Sequence, residues 1–202
     1  ALFKADIPGP LSHVPGLSLG IGGAESNVAV ALQRLGTSVT WLGRVGADSL
    51  GDLVVRELRA EGITVAPIRD DAAPTGLMIK ERRTADAVKV WYYRAGSAGS
   101  RLHPDDIPTD LIARARLLHV TGITAALSES AAGAVTAAVD RARDAGIPVS
   151  FDVTPRSPLW RDRDATPRSL TLAARPTHIL AASHQPLTLT PPPLELARLP
   201  TA

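Results

Sequence analysis

The sequence predicts an α/β protein built on a mainly parallel sheet. Three observations carry this. Between Gly22 and Gly62, helical and strand periods alternate with a glycine at every change of direction. Val39–Val45 is a short, nearly continuous apolar run, the pattern of a strand covered on both faces. From Leu117 to Val153, a strand, a long alanine-rich helix and a second strand follow one another, as in a βαβ unit.

The stretch Gly22–Gly51 organises the chain. A glycine pair opens a helix in which Val28, Ala31, Leu32 and Leu35 recur at i, i+3, i+4 and i+7, predicting that this face is buried. Gly36 stands where a helix-ending glycine belongs. Asp48 is placed to cap a second helix with apolar positions Leu50, Leu53, Val54 and Leu58, closed by Gly62. Ile63–Ile68 reads as a strand. Leu77–Lys80 and Val88–Arg94 read as neighbouring strands joined by a polar turn. Period two puts Val90, Tyr92 and Arg94 on one face of the second strand and Trp91 and Tyr93 on the other.

Asp110 is placed to cap a short helix, and Leu117–Val120 is a strand. Ser128 caps the long helix, whose lining is Ala131, Ala134, Val135, Ala138, Val139 and Ala142; Gly146 ends it. His119, inside a strand, reads as a core histidine. Before the glycine pair no full strand is evident, and Asp6 reads as a solvated loop residue.

Composition narrows the function. The 202 residues are 45% hydrophobic, which excludes a disordered chain. Net charge is +2 despite a pI near 9.4; only positions 4, 80 and 89 are lysine, and no run of like charge exists, so nucleic-acid binding has no support. No cysteine is present, and the five histidines lack metal-ligand spacing. No apolar run reaches membrane-spanning length and no signal peptide is visible, so the expectation is a cytoplasmic protein with no membrane partner. Gly20 and Gly22 begin a dinucleotide fingerprint, but Glu25 occupies its third glycine, and no P-loop motif occurs.

The glycine pair, Asn27 four residues beyond it, and glycines 36, 43, 46 and 51 together resemble the N-terminal signature of the ribokinase (PfkB) family of carbohydrate kinases. The run YYRAGSAGSRL from Tyr92 is similar to the branch that phosphorylates 2-keto-3-deoxygluconate. The resemblance implies a ribokinase-like three-layer sandwich with a small β lid, its strands within about 9–22 and 74–94. It implies ATP and Mg²⁺ as cofactors, an acid sugar as the small-molecule partner, and room for a homo-oligomer through the lid.

Carried over, Gly22, Gly23, Asn27, Tyr92, Arg94 and Arg156 are the substrate-binding residues. Chemistry agrees: a glycine lets backbone approach a sugar, an amide donates and accepts, and a guanidinium matches a carboxylate bidentately. Thr154 stands where the family has an Asn, and Pro155 follows it.

Beyond about residue 160 the character changes. Nine of seventeen prolines follow Ser150, and PPP occupies 191–193. Residues 1–160 therefore read as a partial ribokinase-like domain, and 161–202 as a divergent proline-rich tail of the kind an altered frame or truncated gene produces. The family's late D-T-x-G-A-G-D segment, which supplies the general base and holds the ATP phosphates, has no counterpart in these 202 residues. No catalytic residue is assigned. The expectation is a sugar kinase truncated before its ATP-binding half and inactive. The alternatives are a non-catalytic sugar-acid-binding fragment or pseudogene product, and a kinase for nucleosides or other sugars.

Overall fold

The computed structural model describes residues 1–84 and 87–152, together with the backbone of 179–181. Among the described residues the strands and helices follow in the order β1 Leu2–Ala5, β2 Leu17–Gly20, α1 Ala24–Arg34, β3 Thr40–Gly46, α2 Ser49–Ala60, β4 Thr64–Asp70, β5 Leu77–Arg82, β6 Val88–Tyr93, α3 Thr109–Ala113, β7 Leu118–Thr121, α4 Gly122–Ala125, α5 Glu129–Asp144, β8 Val149–Asp152 and β9 Ile179–Ala181.

The α/β alternation is as expected, but the strands form three small sheets where one mainly parallel sheet is expected. β3 and β4 pair in parallel around α2. β7, β8 and β9 form a parallel trio, with α5 crossing over between β7 and β8. The lid is a mixed sheet in the order β2-β1-β5-β6. Its central pair, β1 and β5, is parallel, and both flanking pairs are antiparallel.

The first strand corrects the reading that the chain has no strand before its glycine pair. Leu-Phe-Lys-Ala is too short and too mixed to show a period. It becomes a strand because β2 and β5 hydrogen-bond it on both sides. This four-stranded sheet thus begins at residue 2, ahead of the 9–22 segment expected to contribute its first strand.

Two apolar cores support the layers. Under α5, the lining foreseen from its period is the set that is buried, packed on Val149 and Phe151. Gly146, at φ 69°, adopts the left-handed turn that ends the helix. The second core gathers Val54, Val55 and Leu58 of α2 with Val45, Ile63 and Ala29. The Asp48 cap of α2 is observed, its carboxylate accepting from the Gly51 N–H at 2.7 Å.

α1 buries only part of the expected face, with Val28 and Leu32 half-buried. Leu35 is 81% exposed, Ala31 is exposed, and Ala29 is the buried residue. The inward line is Glu25, Ala29 and Gln33, spaced by four. Its two polar ends are bonded: Gln33 accepts from the Val39 N–H at 3.1 Å and Glu25 from two threonine hydroxyls. Hydrophobic period cannot find a face whose polar members are satisfied individually. α3 also differs. Pro108 occupies its cap position, while Asp110 lies in the first turn and pairs with Arg114 at 2.8 Å.

Candidate functional site

Gly22 lies against the lid. A Cβ there would meet Met78 Cε at 3.3 Å and Leu2 Cδ2 at 3.6 Å, so the missing side chain lets the turn close on β5 and β1. Gly23 precedes α1 with extended backbone, φ 172°, which any residue adopts; its Cβ position is crowded only by the Ser26 hydroxyl, at 2.7 Å. Asn27 is the fourth residue of α1. Its N–H closes the first turn onto the Gly23 carbonyl at 2.9 Å, and its side chain is exposed.

Register places Gly20, Leu2, Met78 and Tyr92 in one row across the lid, on one face of the sheet. Gly22 and Tyr92 therefore flank the same residue, Met78. The next row on this face is Ser18, Lys4, Lys80 and Val90, and Arg82 follows Lys80 by two on β5. The Arg94 guanidinium carbon lies 4.2 Å from the centre of the Tyr92 ring, a cation–π stack that holds the fork beside the phenol. The phenol–guanidinium pairing expected from period two is thus present, although β6 ends at Tyr93.

The loop after Tyr93 is built around Arg94. The Ser97 hydroxyl donates to the Arg94 carbonyl at 2.7 Å, and the Ala98 N–H donates to the Pro74 carbonyl at 2.8 Å. Gly76 admits Arg94: a Cβ at Gly76 would stand 3.0 Å from Ser97 Oγ and 3.4 Å from Arg94 Cβ. This junction is tied to α2 through Asp48, whose carboxylate accepts from the Thr75 N–H and hydroxyl, each at 2.7 Å. The Gly46 N–H in turn donates to the Thr75 hydroxyl at 2.9 Å. Burial raises the Asp48 pKa, but these bonds and those from Gly51 and Leu50 outweigh it and hold the carboxyl below its ordinary value. Read from the sequence, Asp48 is only a helix cap; the structure makes it the link between α2 and the lid.

Beyond the loop, Asp70 accepts from Arg44 and Arg101, each at 2.9 Å, and Arg44 reaches Asp106 at 2.9 Å. The Arg44 hydrogen bond, ahead of the other partners, holds the Asp70 pKa down. This network joins β3 and β4 to the turns at 98–101 and 104–106.

A second polar group lies where α1 meets the end of β7. Glu25 Oε1 accepts from the Thr121 hydroxyl at 2.6 Å and from the Thr124 hydroxyl at 2.5 Å. His119 Nδ1 contacts Ser150 Oγ at 3.2 Å, while its Nε2 is buried with no hydrogen-bond partner. Burial lowers the His119 pKa against the opposing charges of Glu25 and Asp152. His119 is a half-satisfied histidine facing two carboxylates, rather than a plain core residue.

Arg156, with Thr154 and Pro155, lies outside the described residues, as does the tail apart from the β9 backbone. Asp6 is exposed and accepts from the Ser18 hydroxyl. Gly16–Gly20 spells Gly-x-Ser-x-Gly, a spacing associated with nucleophile elbows. Ser18, however, sits within lid strand β2 and donates to Asp6, not at a strand-to-helix turn. Among the described residues no three His, Asp or Glu groups stand together as a metal site. No helix among them is long and apolar enough to cross a membrane.

The glycine turn closed on a small lid above parallel βα units is also what comparison with known proteins returns. The pattern of the pfkB family carbohydrate kinases matches residues 2–190. The chain belongs to this family. The match runs past residue 160, where the sequence changes character. The 2-dehydro-3-deoxygluconokinase of Bacillus subtilis (strain 168) is 40% identical over 165 residues, 81% of this chain and 51% of that protein. The PfkB protein of Polaromonas sp. JS666 superposes with a TM-score of 0.84 at 36% identity, covering 89% of this chain and 61% of that one. A sugar kinase from Pyrococcus horikoshii, solved in complex with ATP, shares the fold with a TM-score of 0.80 at 22% identity over 89% and 59% of the two chains. The PfkB chain here spans about half the length of the curated relative it matches.

Proposed function

We propose that this chain is the sugar-binding portion and lid of an ATP-dependent kinase for an acid sugar of the 2-keto-3-deoxygluconate type. The observation that carries the reading is the Tyr92–Arg94 stack beside Met78 and Gly22, on a lid face that also bears Lys4, Lys80 and Arg82. Arg94 offers its fork to the carboxylate, Tyr92 and the Asn27 amide serve hydroxyls, and Gly22 and Gly23 form the floor. Arg156 is the remaining member by family resemblance. Lys4 and Lys80 stand side by side, and among the described residues neither is in an ion pair, so an anionic ligand would relieve the like-charge juxtaposition.

ATP and Mg²⁺ belong to this reading through the family. In the family's reaction Mg²⁺ would neutralise the phosphates of the nucleotide. The base and the phosphate-holding backbone belong to the D-T-x-G-A-G-D segment that these residues lack. The second reading, acid-sugar binding without turnover, rests on that missing segment. Cytoplasmic location is the family expectation.

Calorimetric titration with 2-keto-3-deoxygluconate and with fructose tests the substrate class. Binding of the acid sugar alone is expected, and Arg94→Ala should cost about 1.5–3 kcal/mol, the worth of hydrogen bonds to a charged group. Equal binding of both sugars would defeat the acid-sugar assignment. In a coupled ADP-release assay the chain alone should show background rates. One lost oxyanion donor costs about 10²–10³ in rate, and a lost general base about 10²–10⁴. Robust substrate-dependent turnover would place a base among these 202 residues.

A further inference from the structure

We infer that Glu25 is a positioning residue of the sugar site, the anchor that sets the Gly22–Asn27 turn against the carboxyl ends of β7 and β8. The inference rests on the acid-sugar reading above and adds a residue to which that reading assigns no role. Glu25 lies in the first turn of α1, two residues before Asn27 and two after Gly23. One of its oxygens, Oε1, receives both the Thr121 and the Thr124 hydroxyls, at 2.6 and 2.5 Å. Thr121 is fully buried at the end of β7, and Thr124 lies on α4 immediately beyond.

These contacts span 96 and 99 residues of sequence and join the glycine turn to the β7–α4 corner. The apolar anchorage of α1 is thin, with Ala29 its one buried residue and Val30 packed at the edge of the same core. With Gln33 bonded to the Val39 N–H two turns on, Glu25 sets how far α1 slides along the sheet. That distance places Asn27 relative to Gly22 and to Tyr92 on the lid. A misplacement on the order of 1 Å in such a constellation costs about 10²-fold.

Both threonines donate to one oxygen, so Gln can reproduce the anchor: its carbonyl oxygen accepts as Oε1 does. The experiment compares Glu25→Ala, Glu25→Gln and Leu53→Ala, the last a buried change on α2 outside the core that holds Ala29. The dissociation constant for 2-keto-3-deoxygluconate is measured well below each melting temperature. Hydrogen exchange is followed over residues 22–30 and 121–126.

Glu25→Ala should weaken binding by about 10-fold to 10²-fold and speed exchange in both segments together. Glu25→Gln should restore both, and Leu53→Ala should change neither. Parent-like affinity in Glu25→Ala would overturn the inference, as would equal weakening by Leu53→Ala. A Glu25→Gln as poor as Glu25→Ala would also overturn it, since charge rather than the shared acceptor would then matter. If the parent chain binds no acid sugar, the functional reading falls and exchange alone decides the anchor: unchanged protection at 121–126 in Glu25→Ala would end it.

Discussion

The lid and the β7–α5–β8 layer solve the same problem by different means. Under α5, small and branched side chains interdigitate with Val149 and Phe151, at 0% and 1% exposure. The lid has no such core. Leu19, Trp91 and Tyr93 remain 53%, 37% and 59% exposed on its outer face. It is held by strand register and polar struts: Glu81, almost fully buried, accepts from Trp91 Nε1 at 2.7 Å and from the Leu11 N–H at 3.3 Å, and Asp48 pins Thr75. A layer stabilised by apolar area resists local opening. One held by individual hydrogen bonds opens locally more readily.

The largest expected effect breaks the buried layer. Phe151→Ala should cost about 3–5 kcal/mol in urea unfolding, because the cavity forms where nothing can collapse into it. A loss near that of an exposed residue would mean that the α5 core is not the stability centre. Asp48→Ala should cost about 1–2 kcal/mol for the cap alone. Its diagnostic sign is faster exchange at Thr75 and along β5, with residues 131–142 unaffected. Leu19→Glu probes the outer face of the lid, where a second copy would sit in the homo-oligomer reading. Sedimentation should show loss of a dimer while the melting temperature holds; a parent chain that is already monomeric would remove that reading.

Acid separates the two regions further. The His119 pKa is lowered, so the unfolded chain binds the proton more readily, and stability begins to fall as pH drops through the ordinary histidine value of 6.5. Asp48 and Asp70 have depressed pKa values, so their contribution is complete above the ordinary carboxylate value of 3.8 and is lost as pH falls through the lower folded values. His119→Gln should flatten the stability profile just below pH 6.5, leaving the more acidic limb to the carboxylates. A profile unchanged by His119→Gln would mean that the ring is solvated. The smallest effect is reserved for Arg34→Ala. Its ion pair with Glu61 is on the surface, and no measurable change in melting temperature is expected.

Much of this molecule is legible from local chemistry. The inward face of α5, the Asp48 and Ser128 caps, the turn glycines at 36, 62 and 146, and the β5–β6 pair with Tyr92 and Arg94 side by side are all set within a few residues, because capping, left-handed turns and period two are short-range effects. The thirty-residue glycine signature was enough to mark the family.

Only tertiary structure decided the rest. Leu2–Ala5 is a strand because two partners flank it. α1 turns Glu25 and Gln33 inward and leaves Leu35 exposed because Thr121, Thr124 and the Val39 N–H wait on the inner side. The meeting of Gly22 with Met78, and through it with Tyr92, depends on segments more than fifty residues apart. A polar residue declares its buried role only through the partner that satisfies it. That partner lies far along the chain, so no local pattern could name it.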